Sequence, residues 1–287
     1  MKVLLFLLLC SLLYGCDAHK CKTYKQDDTY IFSAKKEWLK GKVKQEDNRY
    51  YNMTDSGKYF ISEDIYSYDT LGNTTDFKNF CTSNTTLPLI HCIYEYNTKN
   101  QLVSQTAFIA DDMPVTKQNI TKNTSQYIYD DKNNLVSVTN KNQDGSTRFE
   151  EQFFYHCGNK TGDTMTGTGI FKSYRGLYIY SDNGNTVESK TIYPDHTVKQ
   201  VRKYNSDGDL VETDYFEAGD TSIITGKTIC KHDGEHRTIK SDTYKNNLLI
   251  STTVNQSDSF DAHGNPLKEI FRSDKINGVT ESRLTYY

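Results

Sequence analysis

Two stretches of this 287-residue chain hold side chains that could do chemistry together. Cys230-Lys-His232-Asp-Gly-Glu-His236 offers a thiol and two imidazoles, and on a helix His232 and His236 would share one face toward a metal ion. Asp233-Gly234 inside the run calls instead for a two-residue hairpin turn. Strand alternation then sends Cys230 and His232 to one face and His236 to the other. A plain surface hairpin is the better reading, and no metal is expected. His156-Cys157 could suggest a thiol nucleophile beside its base. Adjacent residues on a strand point to opposite faces, so a structural cysteine is the better reading. Ser or Cys triads, Gly-x-Ser-x-Gly elbows and P-loops are absent. The Gly-rich stretch near Gly167 lacks the Lys-Ser/Thr that a phosphate cradle needs. No short motif marks a carboxylate pair. The chain therefore reads as a non-enzyme with no catalytic residue and no cofactor.

Cys16 invites a different chemistry. Lys2 precedes an apolar run, Val3 to Leu13, with the positive start and apolar core of a secretory signal. That run is about half of the roughly 20 residues a spanning helix needs. Leu13-Tyr14-Gly15-Cys16 follows and resembles the bacterial lipobox. The resemblance implies diacylglycerol on the Cys16 sulfur, cleavage after Gly15 and acylation of the new amine. Two or more acyl chains anchor stably where one does not. Asp17 resembles the enterobacterial sorting signal for retention at the inner membrane. Ordinary secretion, with Cys16 in a disulfide, is the alternative.

Acidic residues (37) outnumber basic ones (34), and no cluster of Lys or Arg stands out, so nucleic acid binding has no electrostatic footprint. Hydrophobic content is low at 36%, yet 22 Tyr, 13 Phe and only 4 Pro argue against disorder, because aromatic residues suit a pleated, half-buried surface. An oxidising compartment permits disulfides. Cys81 and Cys92 bracket a short loop whose closure would stabilise by roughly 3 kcal/mol. Cys157 with Cys230 follows by elimination alone. Asn-x-Ser/Thr occurs at Asn52, Asn73, Asn84, Asn119, Asn123, Asn159 and Asn255. Asn, Ser and Thr are so abundant that chance accounts for most of these, and they read as turn chemistry.

The elements that must position any site follow from a repeat. In one register stand Tyr66-Ser-Tyr-Asp-Thr-Leu-Gly-Asn-Thr, Tyr94-Glu-Tyr-Asn-Thr-Lys-Asn-Gln-Leu and Tyr127-Ile-Tyr-Asp-Asp-Lys-Asn-Asn-Leu. Tyr178-Ile-Tyr-Ser-Asp-Asn-Gly-Asn-Thr, Arg202-Lys-Tyr-Asn-Ser-Asp-Gly-Asp-Leu and Asp258-Ser-Phe-Asp-Ala-His-Gly-Asn-Pro continue it. Looser copies begin at Tyr51 and Tyr244. Asp, Asn or Ser opening a type I turn can bond the backbone two residues on. The Gly or Asn three residues later enters the left-handed region that a bulged hairpin loop requires. Each copy is therefore a β-hairpin, and Leu135-Val-Ser-Val and Leu210 to Phe216 are its strand-like flanks. The copies are unevenly spaced, unlike a strict solenoid. The expected fold is all-β, an antiparallel meander of hairpins forming a twisted sheet or open barrel with minimal helix. Residues 1–15 read as the signal, 16–45 as a lipid-anchored segment with a short helix over Ser33 to Lys40, and 46–287 as the hairpin domain. Thr161 to Gly169 reads as a flexible connector and a weak boundary.

The turns resemble the YD-type repeats of Rhs and teneurin shells. Through the whole chain, Cys16-Asp17, Leu39-Lys-Gly-Lys-Val-Lys44, Tyr127-Ile-Tyr-Asp-Asp, Phe260-Asp-Ala-His-Gly-Asn-Pro and the terminal Leu284-Thr-Tyr-Tyr287 resemble, in this order, the YnfC-type lipoproteins of enteric bacteria. That family has no established activity, so the resemblance implies lipidation, a β-rich fold and an envelope location but no catalytic residue. The leading expectation is a non-enzymatic lipoprotein held on the periplasmic side of the cell membrane, binding an envelope protein or glycan or serving a structural role. A freely secreted carbohydrate- or protein-binding module is the second expectation. A hydrolase assembled from distant strands, revealed by a pocketed carboxylate of raised pKa, is the third.

Overall fold

In a computed structural model, residues 39–81, 87–110, 120–181, 183–216, 222–273 and 277–287 are described. They form eighteen strands. The first nine are β1 (Val43–Thr54), β2 (Gly57–Tyr68), β3 (Thr74–Phe80), β4 (Ile90–Tyr96), β5 (Leu102–Ala110), β6 (Ile120–Tyr129), β7 (Leu135–Asn142), β8 (Thr147–His156) and β9 (Asn159–Gly167). The rest are β10 (Tyr174–Tyr180), β11 (Thr186–Ile192), β12 (Thr197–Tyr204), β13 (Leu210–Phe216), β14 (Ile224–His232), β15 (Thr238–Lys245), β16 (Leu248–Phe260), β17 (Pro266–Ser273) and β18 (Asn277–Tyr286). Each strand pairs antiparallel with the next, and β1 pairs with both β2 and β18. The meander is therefore a closed barrel rather than an open one. Closure removes both sheet edges, whose unpaired amides would otherwise invite other chains.

The repeated turns form as their residues dictate. In the turn after β2, the Gly72 amide donates to the Asp69 carbonyl and the Asp69 amide donates to the Asn73 carbonyl. Positive φ falls on Gly72, Asn100, Asn133, Gly184, Gly208 and Gly264, the fourth position of each copy. In five of the six copies a register shift at the preceding aromatic, for example between Ser67 and Tyr68, records the bulge. A further regularity links the first and fifth positions. Asp69 and Asp130 accept from the side-chain amides of Asn73 and Asn134, whereas Asn97 and Asn205 donate to Gln101 and Asp209. These four copies, and Asp261 with Asn265, thus pair one donor with one acceptor, whichever end carries which; in the Ser181 copy the hydroxyl donates to Asn183 instead.

Because the chain meanders, all six copies lie on one rim. Neighbouring copies touch there: Asn73 Nδ2 donates to Asn100 Oδ1, and Gln101 Nε2 reaches Asn133 Oδ1 at 3.3 Å. The looser copies sit on the opposite rim as tighter two-residue turns, with Thr54 facing Gly57 and Lys245 facing Leu248. A copy without the aromatic, Asn142 to Ser146, also lies there.

The two walls differ. Glu46, Asn123, Val138, Glu151, Phe153 and Asp163 share one face through the strand register and are buried, which marks the concave inner wall. On the other face Ile93, Ile128, Phe154 and Ile179 are exposed, among charges such as Arg49, Glu63, Lys78 and Glu188. Among the described residues, side-chain bonds and ring contacts join strands or turns close together around the ring; none spans the interior. Eighteen strands suffice to enclose an aqueous lumen.

Several sequence expectations change. Thr161 to Gly167 is not a connector but part of β9, bonded to β8 and β10; its glycine at 162 lets the strands approach closely, since a Cβ there would lie 3.0 Å from the Gly176 carbonyl oxygen. Of the expected helix, residues 33–38 lie outside the described residues, while Leu39 and Lys40 are not helical. Among the sequons, Asn73, Asn123 and Asn159 are buried, and Asn73 is a turn residue as read. Asn84 and Asn119 lie outside the described residues.

Candidate functional site

The structure separates the residues that sequence had grouped. Asp233 opens a five-residue loop, not a two-residue one: its carboxylate accepts the Glu235 and Arg237 amides, and Arg237 Nε donates to its second oxygen at 2.8 Å. His236 takes the left-handed position with φ 63°, making this a further copy of the repeated turn on the same rim. Its Nδ1 lies 2.9 Å from Asp209 Oδ1, whereas His232 Nε2 faces Thr238 Oγ1. Cys230 is a free thiol whose pKa burial pushes up. Among the described residues no three His, Cys, Asp or Glu side chains gather as a metal site.

The cysteine pairings are corrected as well. Cys81 and Cys92 are not joined. Phe77 is the residue opposite Cys92, and Cys81 lies four residues further, about 13 Å along extended chain. A disulfide tolerates roughly 7 Å between Cα atoms. Cys157 is disulfide-bonded, but not to Cys230. It sits in the turn after β8 with φ 54°, so it is a structural cysteine and not a nucleophile paired with His156. Cys16 and Asp17 lie outside the described residues.

What the fold does assemble is a polar cluster in the inner wall of β8, β9 and β10. Phe149, Glu151 and Phe153 alternate onto one face, so Glu151 sits in the phase of the aromatics. Tyr174 donates to Glu151 Oε1 at 2.7 Å, and Tyr178 donates to Asp163 Oδ2 at 2.8 Å. Lys160 Nζ lies 2.6 Å from Asp163 Oδ2 and 4.6 Å from the ring centres of Phe153 and Tyr178. Both acids are 1% exposed. Burial pushes Glu151 up to about 7; the Tyr174 hydroxyl opposes that rise and Asp163 adds to it. Such a carboxyl can exchange a proton near neutrality. Its enclosure keeps substrate from it, and the Tyr174 hydroxyl occupies one of its oxygens. The sequence signal was available, an acid at an inward position between two phenylalanines, but nothing in it showed that Asp163 would stand across the ladder.

Other tyrosines repeat the arrangement. Tyr68 donates to Glu46 at 2.6 Å, Tyr127 donates to Gln105 at 2.9 Å, and Tyr96 and Tyr180 donate to backbone carbonyls. Burial raises the pKa of Tyr127 to about 12. These hydroxyls are committed to the wall.

No family model and no curated protein matches the chain. Among solved structures it is similar to a porin-like protein from Bacteroides uniformis, at 10% identity, covering 86% of this chain and 99% of that one with a TM-score of 0.44. It is also similar to part of the Photorhabdus luminescens Tc holotoxin pore, at 13% identity, covering 74% of this chain and 13% of that one with a TM-score of 0.29. At these scores neither likeness carries an argument about function.

Glu151 makes the fold pH-sensitive in a defined direction. Below pH 4.5 the carboxyl is protonated in both folded and unfolded chains. As pH rises toward 7 the unfolded chain loses its proton first, so stability falls, by about 3 kcal/mol once both forms are ionised. Glu151→Gln removes this deficit. Urea unfolding should find the variant about 2–3 kcal/mol more stable than wild type at pH 8 and no more stable at pH 4. An equal difference at both pH values would contradict the assignment.

Proposed function

We propose that this chain is an exported lipoprotein whose barrel stands at a membrane surface as a non-enzymatic binding or structural module of the envelope. The observation that carries the reading is the state of the chemistry-bearing side chains. Tyrosines and carboxylates that could have formed a reactive site are bound to one another inside the wall, where they hold strands in register. The disulfide at Cys157 agrees with export, because such bonds persist in oxidising compartments.

The outer wall bears on how a membrane would be met. A lipid-facing barrel needs an apolar band about 25 Å tall. Here Arg49 pairs with Glu63, and Lys203 and Lys227 share Glu212 and Asp214 on that wall. Such a surface favours water over hydrocarbon, so the reading places the barrel beside the bilayer, tethered by acyl chains on Cys16. Asp17 favours the inner membrane, on its periplasmic side. An envelope protein or glycan is the partner class.

The test is Cys16→Ser with membrane fractionation and labelling by fatty acid. The wild type should be labelled and sediment with membranes; the variant should be unlabelled and soluble. Membrane retention of the variant, or an unlabelled wild type, would remove the anchor.

A further inference from the structure

Cys157 is disulfide-bonded, and none of the other described cysteines, Cys81, Cys92 and Cys230, forms such a bond. The chain has seven cysteines, so the partner is Cys10, Cys16 or Cys21. Cys10 stands inside the apolar run Val3 to Leu13, which leaves with the signal, and the lipid reading commits the Cys16 sulfur to a thioether. Cys21 remains. The local backbone also sets Cys157 apart. It forms the two-residue β8–β9 turn with Gly158, at φ of 54° and 78°, with His156 opposite Asn159. A turn with both residues in the left-handed region favours Asn before Gly. A cysteine is strained there, and strain of this kind marks a position held for another reason.

Every even-numbered strand ends on the rim of the repeated turns, so Cys157 lies on that rim, between seven and eight strand spacings from β1. At ~4.8 Å per strand the wall between them is about 35 Å wide. Eighteen residues separate Cys21 from Lys40, about 60 Å when extended, so Cys21 can reach Cys157 with chain to spare. We propose that Cys21 is bonded to Cys157, and that this bond moors the turn-bearing rim to the bilayer, within about 20 Å of the acyl chains on Cys16. The path from lipid to barrel is then the five steps from Cys16 to Cys21 rather than the twenty-four from Cys16 to Lys40. The bond forms by exchange with the disulfide of an oxidoreductase in the oxidising compartment. The Cys21 and Cys157 thiols give up two protons and two electrons as their S–S bond forms, and the donor's S–S bond breaks to two thiols. The inference rests on the lipoprotein reading, which takes Cys16 out of the pairing, and deepens it by naming the rim that faces the membrane.

Two measurements on the full exported chain test it. Blocking thiols without reduction and cutting with trypsin parts Cys16 from Cys21, because Lys20 lies between them. Mass spectrometry should then find residues 21–22 linked to residues 149–160. Cys157 bonded to Cys10 or Cys16, or carrying the thiol block, overturns the pairing. The second measurement inserts a specific protease site after Asp28. Once this chain is cut on membranes, its barrel should stay in the pellet, and reductant should raise its release roughly tenfold. With Cys21→Ser, cutting alone should release it. Release of the cut chain without reductant overturns the mooring. Failure of the lipoprotein reading is seen separately: a Cys16 unlabelled by fatty acid, beside an intact Cys21–Cys157 bond, removes the anchor and the mooring but leaves the pairing.

Discussion

Asn265→Ala is expected to cost about 3 kcal/mol and to loosen the seam where the barrel closes. Asn265 is fully buried and is the last residue of the β16–β17 turn. Its side-chain oxygen accepts the Lys40 amide at 2.6 Å, while its amide donates to the Lys40 carbonyl at 2.8 Å and reaches the Tyr286 hydroxyl at 2.9 Å. One side chain thus joins the chain entering β1, the turn before β17 and the end of β18. Tyr286 also donates to Asp261. Desolvation would raise that carboxyl, but hydrogen bonds from Tyr286, from Asn265 and from the His263 amide hold it at about 2. Alanine would leave the Lys40 amide and part of this network without partners, which is where most of the cost arises. Urea unfolding gives the magnitude, and hydrogen exchange gives the place: amides of β1 and β18 should lose protection before those of β6 and β7. Uniform loss, or a change below about 0.5 kcal/mol, would show that closure does not depend on this residue.

Gly176→Ala should be at least as damaging, by about 3–5 kcal/mol. A Cβ at that position would stand 2.0 Å from Asp163 Oδ1. The carboxylate cannot step aside cheaply, because it is buried and its other oxygen holds the Tyr178 hydroxyl and Lys160 Nζ. Displacing it would leave a buried charge poorly paired, the costly outcome for such groups. Asp163→Ala alone should also destabilise, since it abandons Lys160. The double variant separates the terms. If the collision is the cause, Gly176→Ala should cost much less in the Asp163→Ala background, with a coupling of about 1–3 kcal/mol. Additive losses would place the strain elsewhere.

The turns were the legible part of this chain. Asp69, Asn97, Asp130 and their counterparts, each with Gly or Asn three residues on, specify a bulged hairpin through local backbone physics that needs no tertiary contact. Asp233 was misread because Asp-Gly is a two-residue turn signal, and His236 gave no hint of entering the left-handed region. There the longer-range bond to Asp209 and the Asp233–Arg237 pairing decided the loop. Cys81 and Cys92 show the limit of loop-length reasoning: closing a short loop is favourable only if the ladder brings the two residues opposite, and register is not written in spacing. Closure itself was out of reach, since the pairing of β1 with β18 joins the two ends of the chain. The inner cluster was half visible. Glu151 stands in the inward phase between Phe149 and Phe153, yet its partners come from β9 and β10, at distances in sequence where pattern carries no pairing information.

Mass spectrometry of the native, unreduced protein, reading the N-terminal peptide together with the disulfide-linked peptide of Cys157, addresses the central claim most directly. The account predicts a mature chain beginning at Cys16, with diacylglycerol on its sulfur and an acylated amine, and Cys157 bonded to another cysteine. An N-terminus elsewhere, or a Cys16 sulfur bridged to Cys157, would contradict it.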